Sequence, residues 1–489
     1  MSTAPCDPFR PLAHLRPPRN WINDPNGLAF HDGHYHVCYQ YNPYGSTHEN
    51  MHWGHFRSPD LLSWEPLPIA LSPTPGGEDA DGCFSGNAVS DGDRLVAFYS
   101  ANRWDRRHQP VTSATSRDGG RTFSPRGELV IPEPPDGCTM YRDPYVWRDG
   151  DGWRMLVGAA LDDGRGAALL YESPDLDTWT YLGPFSAREQ QQVGDTGLHT
   201  GEGWECPQYL PAQSGRPGAL VFSAWNDHDG DRCVAALVGE ENGDTFEAGP
   251  PALVDHGPDC YASALLPAPG GRWLLWGWSR EAREESWAVT DGWAGLLTLP
   301  REISVSGDGI VRQRPAAELL ALRGEHTVHA EDFTHGPQPV ELGGVGRAFD
   351  LTARLEPTAG AGLRLLTNPD GSEYLDIRID AAAGELVVDR DHASLDARAH
   401  GGSYRMPCPT DGPVELRMVV DHSIAEVFLT STGQVLTLRC YPTGDGPWRL
   451  QVHNAPDARL SYSVDAWELL PLVIKEPSAA TEEPEGKSV

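Results

Sequence analysis

Three short motifs carry the carboxylates best placed for chemistry: Trp21-Ile22-Asn23-Asp24-Pro25-Asn26-Gly27, Arg142-Asp143-Pro144 and Trp204-Glu205-Cys206-Pro207. Each sets an acid at or near a proline, in a loop or at the entrance of a strand. Carboxyl groups that meet in space can act as nucleophile and as general acid or base. Asp24 and Glu205 stand about 180 residues apart, so they work together only if the fold gathers them. Taken singly, Asn-Asp-Pro-Asn-Gly and Arg-Asp-Pro are also ordinary turn chemistry.

The elements that would gather them repeat with a period of about 58 residues. Turn signals at Asp32-Gly33, Asp91-Gly92, Asp149-Gly150, Ser214-Gly215 and Gly270-Gly271 each separate short β-rich runs, which is a hairpin pattern. A second hairpin follows most of them, as at Ser58-Pro59-Asp60, Ser116-Arg117-Asp118 and Ser173-Pro174-Asp175. Four strands per unit at this period indicate a β-propeller, and five units fit between about Trp21 and Glu302. Asp24, Asp143 and Glu205 keep phase with the repeat, as do Phe84-Ser85-Gly86 and Asp259-Cys260-Tyr261. All five segments should open the first strand of a blade, which lines the central channel. Three acids in phase on separate blades are hard to explain as turns alone.

Together these motifs resemble glycoside hydrolase family 32, the invertases, levanases, inulinases and sucrose-6-phosphate hydrolases. Tyr39 to Pro43, Met51 to His55, Leu67 to Leu71, Gly82 to Gly86, Gly277-Trp278 and Leu299 to Glu302 are similar to the family as well. So are Val419 to Ser423 and Glu426 to Phe428, near the C-terminus. The resemblance spans roughly residues 13 to 470. It implies an all-β protein, a five-bladed β-propeller followed by a C-terminal β-sandwich, that hydrolyses terminal β-fructofuranosyl units.

Retaining cleavage of a glycosidic bond takes a nucleophile and an acid/base carboxyl about 5 Å apart. The resemblance implies Asp24 as nucleophile, Glu205 as acid/base and Asp143 as transition-state stabiliser. Glu205 must hold a proton near neutral pH, which burial or a like-charged neighbour would favour. Cys206 beside it reads as a small buried hydrophobe or as a modulator of the Glu205 site. Arg142 would pair with the acids or bond the sugar. The resemblance further suggests Asn23, Gln40, Trp53, Phe84 and Ser85 as the fructose pocket, with Asp259, Tyr261 and Trp278. Trp53 and Phe84 fit a blade core equally well.

The expected organisation is a catalytic propeller over residues 13–314, a linker with a short helix over 315–329, a sandwich over 330–474 and a disordered tail over 475–489. Pro315 to Leu322 supplies the helix pattern. Runs 348–355, 362–366, 375–379, 386–389, 414–420 and 425–429 alternate as sandwich strands do. The tail is rich in Glu, Pro, Ser and Ala without periodicity. A net charge of −32 disfavours nucleic acid and anionic membranes as partners. Nine dispersed cysteines, no apolar signal-peptide core before Arg19 and no run of membrane-spanning length point to a reduced, cytoplasmic setting. His31, His34 and His36, with His48, His52 and His55, raise a metal site, but with the best-placed acids assigned to sugar chemistry no metal is expected. No cofactor is expected either: Gly343 to Phe349 lacks the third glycine and the context of a dinucleotide fingerprint.

The same intermediate would serve a fructosyltransferase. An arabinan-type propeller hydrolase shares the three-acid plan, but the Trp21–Gly27 motif and Glu205-Cys206-Pro207 do not belong to it. A non-catalytic fructan-binding propeller would be expected to lose one of the acids. The protein would be a monomer, or a homo-oligomer through the sandwich. A phosphorylated disaccharide would need free basic residues near the site, and Arg57, Arg103, Arg106, Arg107 and Arg142 are the nearest in sequence. The negative balance repels a dianion at long range, so unphosphorylated sucrose or a short fructo-oligosaccharide is the expected substrate.

Overall fold

The computed structural model describes residues 7–213, 215–227 and 232–476. Five sheets follow in chain order, and within each the strands lie in sequence order from the channel outwards. Blade I runs Asn20–His31, His34–Asn42, His52–Ser58 and Ser63–Leu71; blade II runs Gly82–Asp91, Arg94–Asn102, Val111–Ser116 and Ser124–Ile131. Blade III holds Cys138–Asp149, Gly152–Leu161, Arg165–Ser173 and Thr180–Glu189. Blade IV holds Gly203–Leu210, Gly218–Trp225, Val234–Asn242 and Thr245–Ala248. Blade V holds Cys260–Ala268, Arg272–Ser279, Arg301–Val305 and Val311–Pro315. Each inner strand packs on the next, and that of blade V packs on that of blade I, so the ring closes at five. Two short parallel strands complete blade I, Trp293–Ala294 inside and Val473–Ile474 outside.

The turns show why the repeat is legible. Asp32 and Gly33 both take positive φ, 46° and 74°, the two-residue turn whose twist matches its strands. In the second hairpins of blades I and III, Asp60 and Asp175 each cap two following backbone N–H groups, while Ser58 and Ser173 accept from Leu61 and Leu176. Trp64 and Trp179 then donate to the carbonyls of those leucines.

The sandwich consists of two six-stranded sheets. Leu351, Met418, Val427 and Val464 of one face Leu365, Ile377, Val388 and Leu450 of the other in one buried core. Its first strand is Arg323–His335, so the sheet begins within the stretch expected as linker; the chain crosses between domains in a six-residue 3-10 helix, Ala317–Leu322. Lys475 is tied by its N–H to Trp64 O, and residues 477–489 of the expected tail lie outside the described residues.

Buried charges dock the sandwich on the propeller. Arg301, fully buried, pairs with Asp255 and with Glu426 of the sandwich at 2.7 Å each. His14 lies between Asp421 and Glu426, at 2.8 and 3.1 Å. Such pairs hold geometry more than they add stability, because desolvation offsets most of their attraction. Among the described residues no helix is long and apolar enough to cross a membrane.

Candidate active site

The three motifs are not loops. Each lies inside an inner strand, at a β-bulge that recurs in all five blades. The ladder loses register between Ile22 and Pro25, Cys83 and Gly86, Arg142 and Tyr145, Glu205 and Gln208, and Tyr261 and Ala264. A bulge bends a strand and re-aims its side chains, and it is one of the few places where a sheet accepts proline. This is how residues of turn type come to sit in a strand: Pro144 and Pro207 fall inside their bulges, and Pro25 follows directly on its own. Asp143, Cys206 and Ala262, the first bulge residues of blades III to V, are left-handed, with φ of 63°, 46° and 48°. Three strained residues in one register mark a site held by its surroundings. Gly158, opposite Arg142, lets blade IV approach, since a Cβ there would lie 2.1 Å from the Trp204 carbonyl.

The bulges bring the carboxylates together. Asp24 accepts from Ser85 Oγ at 2.5 Å and from Asn23 Nδ2 at 3.1 Å, and Trp21 Nε1 fixes the Asn23 amide at 2.8 Å. Asp143 accepts from the Cys206 N–H at 3.0 Å, and its own N–H donates to Ser100 Oγ at 2.8 Å. Cys206 Sγ lies 3.6 Å from Asp24 and 3.5 Å from Asp143. Burial pushes this thiol far above its ordinary range, so it stays a neutral donor between two acids. Glu205 is paired with Arg142 Nη1 at 3.0 Å. The Tyr261 hydroxyl stands 2.8 Å from Glu205 Oε2 and 2.8 Å from Ala224 O. That hydroxyl can donate to an ionised Glu205, or donate to Ala224 O while accepting from a protonated one.

The crowding has an electrostatic consequence. Burial, reinforced by the charge of Glu205 and opposed by Arg142, lifts Asp143 from 3.8 to about 7. Asp24 is raised as well, chiefly by burial, against the opposing hydrogen bond from Ser85. The cluster therefore holds protons at a pH where separate carboxylates would not.

The remaining expected residues divide by what their side chains touch. Gln40 Nε2 donates to Cys83 O at 3.0 Å and Trp53 Nε1 to Phe84 O at 3.1 Å, so both brace the bulge that presents Phe84 and Ser85. Trp53 is wholly buried, while Phe84 and Trp278 are partly open. Trp278 meets Trp21 edge to face, with ring centres 5.8 Å apart. Asp259 departs from expectation: its carboxylate is taken up by Arg390 and the Arg439 N–H of the sandwich, so it braces the domain junction rather than offering itself to a sugar. Arg232, whose guanidinium lies 5.6 Å over the Tyr261 ring, was not foreseen, because its loop carries no pattern that sets it apart. Of the N-terminal histidines, His36 bonds His55 at 3.1 Å and His31 bonds Ser90 at 2.7 Å, while Nδ1 of the buried His55 has no hydrogen-bond partner among the described residues.

Residues 14–315 match the model of the glycosyl hydrolases family 32 N-terminal domain, and residues 318–468 that of the family 32 C-terminal domain. A sucrose-6-phosphate hydrolase of Escherichia coli is 32% identical over 459 residues, covering 89% of this chain and 90% of its own. The levanase of Bacillus subtilis is 33% identical over 467 residues, covering 88% of this chain and 66% of its own. The solved structure of a Bombyx mori β-fructofuranosidase superposes with a TM-score of 0.78 at 27% identity, over 96% of this chain and 95% of that one.

Proposed function

The chain belongs to glycosyl hydrolase family 32, and we propose that it releases terminal β-D-fructofuranosyl units from sucrose or short fructans by double displacement. One observation carries the reading: Asp24, Asp143 and Glu205, from three blades, meet in a single cluster with Arg142, Cys206 and Tyr261. Asp24 attacks C2 of the fructosyl unit as Glu205 passes its proton to the departing oxygen. The C2–O bond breaks and an Asp24 ester forms. Glu205, now a carboxylate, takes a proton from water, whose oxygen attacks C2 and returns Asp24 as a carboxylate. Ser85 and Asn23 hold Asp24 aimed, and Asp143 bonds fructose hydroxyls as positive charge grows at C2. Trp21, Phe84 and Trp278 offer ring faces for the sugar's C–H surfaces. Two inversions leave β-fructofuranose as the first product, which rapid NMR of early turnover detects; α-fructofuranose first would overturn the mechanism.

Unphosphorylated substrates are favoured because two of the three arginines of the 102–108 loop serve carboxylates, Arg103 pairing with Asp105 and Arg106 with Glu78, while Arg107 is exposed. Sucrose 6-phosphate is the second reading, favoured by Arg232 beside Tyr261 on the Glu205 side, where the leaving group must lie. Comparing kcat/KM on sucrose, sucrose 6-phosphate, 1-kestose, inulin and levan decides between them. A preference for the phosphate that Arg232→Ala abolishes would install the second reading. The eight described cysteines, none in a disulfide, support a reducing compartment as the working environment.

A further inference from the structure

We propose that the outer face of the sandwich binds a borderline transition-metal dication such as Zn2+, through His326, His329 and Asp465. Among the described residues these form the one group of three such side chains whose donor atoms all lie within 4.8 Å of one another. Both histidines belong to Arg323–His335, the edge strand of its sheet, and Asp465 to the neighbouring Arg459–Leu469. Residues three apart on a regular strand face opposite ways. Here register shifts on either side of His326 pair it with Trp467, while His329 pairs with Asp465, so both rings rise on the face that carries the carboxylate. The buried Val328, Val464 and Ala466 occupy the other face.

His326 Nε2 lies 2.9 Å and His329 Nδ1 2.7 Å from the same oxygen, Asp465 Oδ1. The His326 ring is stacked on Trp467, centres 4.7 Å apart and planes within 11°. Arg323 also lies over that indole at 3.8 Å and is held in turn by two bonds to Asp350, of 2.9 and 3.0 Å. Two donors thus sit on a packed frame, as a binding site requires. Without metal, the carboxylate accepts an N–H from each ring. Metal binding takes the tautomer in which each neutral imidazole carries its one proton on the other ring nitrogen, so that His326 Nε2 and His329 Nδ1 each offer a lone pair. Bond lengths of about 2.0 Å need the donors about 3.3 Å apart, a small outward movement. The exposed side chain of His329, 68% open, can make it. Two imidazoles and one carboxylate leave a fourth position for water, and they select zinc, copper or nickel over magnesium and calcium. The bound ion cross-links the edge strand to its neighbour.

The test is calorimetric titration of the tag-free full chain with ZnCl2, beside the double variant His326→Ala/His329→Ala. The wild type should take up one zinc equivalent more than the variant, with affinity at that site at least about 100-fold above what the variant retains. MgCl2 and CaCl2 should give no such step, and Cu2+ at the site should show two imidazole nitrogens by electron paramagnetic resonance. Circular dichroism confirms that the variant folds. A wild-type chain that takes up no zinc at about 100 µM, or a double variant with undiminished uptake, overturns the site.

Discussion

Replacing Asp143 by Asn should make the folded protein more stable at pH 8 and nearly unchanged at pH 4, while removing most of its activity. Asp143 is 5% exposed, and folding lifts its carboxyl from 3.8 to about 7, first through burial and then through the charge of Glu205. Between those two values the native state keeps a proton that the unfolded chain has released. Native stability therefore falls as pH rises through that window. At about 1.4 kcal/mol per pH unit, the full penalty approaches about 4 kcal/mol once the group is ionised in both states. Asparagine has nearly the same shape and keeps an oxygen for the Cys206 N–H, so it lifts the penalty without opening a cavity. Its amide must still find partners, so the expected gain at pH 8 is about 2–4 kcal/mol, falling to about zero at pH 4. Urea midpoints followed by tryptophan fluorescence at fixed ionic strength, taken for both proteins from pH 4 to 8, give the difference curve. A difference that does not grow with pH, or a variant less stable than wild type at pH 8, refutes the reasoning.

Asp24→Ala should lower kcat by about 10⁴-fold or more with an unchanged circular dichroism spectrum, because Asp24 bonds only small neighbouring groups; a folded variant keeping a tenth of the rate would dismiss it as nucleophile. Glu205→Gln should lose about 10²- to 10⁴-fold on sucrose but far less, in the first step, on fructosides with activated leaving groups. Equal losses on both would show that proton donation is not its task. Tyr261→Phe removes a hydrogen bond to the Glu205 carboxyl worth about 1.5–3 kcal/mol, hence about 10- to 150-fold in kcat with KM little changed. A loss confined to KM would make Tyr261 a sugar contact instead.

The propeller was legible because its turns are local. Asp32-Gly33 and the Ser-Pro-Asp caps declare themselves within a few residues, and they recur. The convergence of the acids was legible from phase alone, since one bulge register serves every inner strand. The bulges themselves were not: proline beside an acid reads as a turn until the strand's free edge is known to face the channel. The strand that opens the sandwich was missed for a related reason. Arg323–His335 exposes most of its residues and shows almost no alternation, and its bulges are what bring His326 and His329 to one face. Asp259 shows the limit of reading by phase. It precedes Tyr261 in step with the other motifs, yet partners some 131 and 180 residues further along the chain claim its carboxylate.

That claim gives the second domain a physical connection to the chemistry. Asp259 immediately precedes the inner strand of blade V, and Tyr261, two residues on, holds Glu205. Arg390 and Arg439 of the sandwich therefore fix the base of the strand that orients the acid/base candidate. Arg439 also reaches Glu281 at 3.2 Å, and Glu281 accepts the Gly295 N–H at 2.7 Å, just beyond the short strand that completes the inner edge of blade I. Blades V and I meet at the closure of the ring, where only side chains and a few backbone bonds join the first blade to the last. A sandwich bonded to both sides of that seam resists its opening, and the seam borders the strands that carry Asp24 and Tyr261. Through Arg390, Arg439 and Glu281 the sandwich is thus bonded on both sides of the seam that borders the active site.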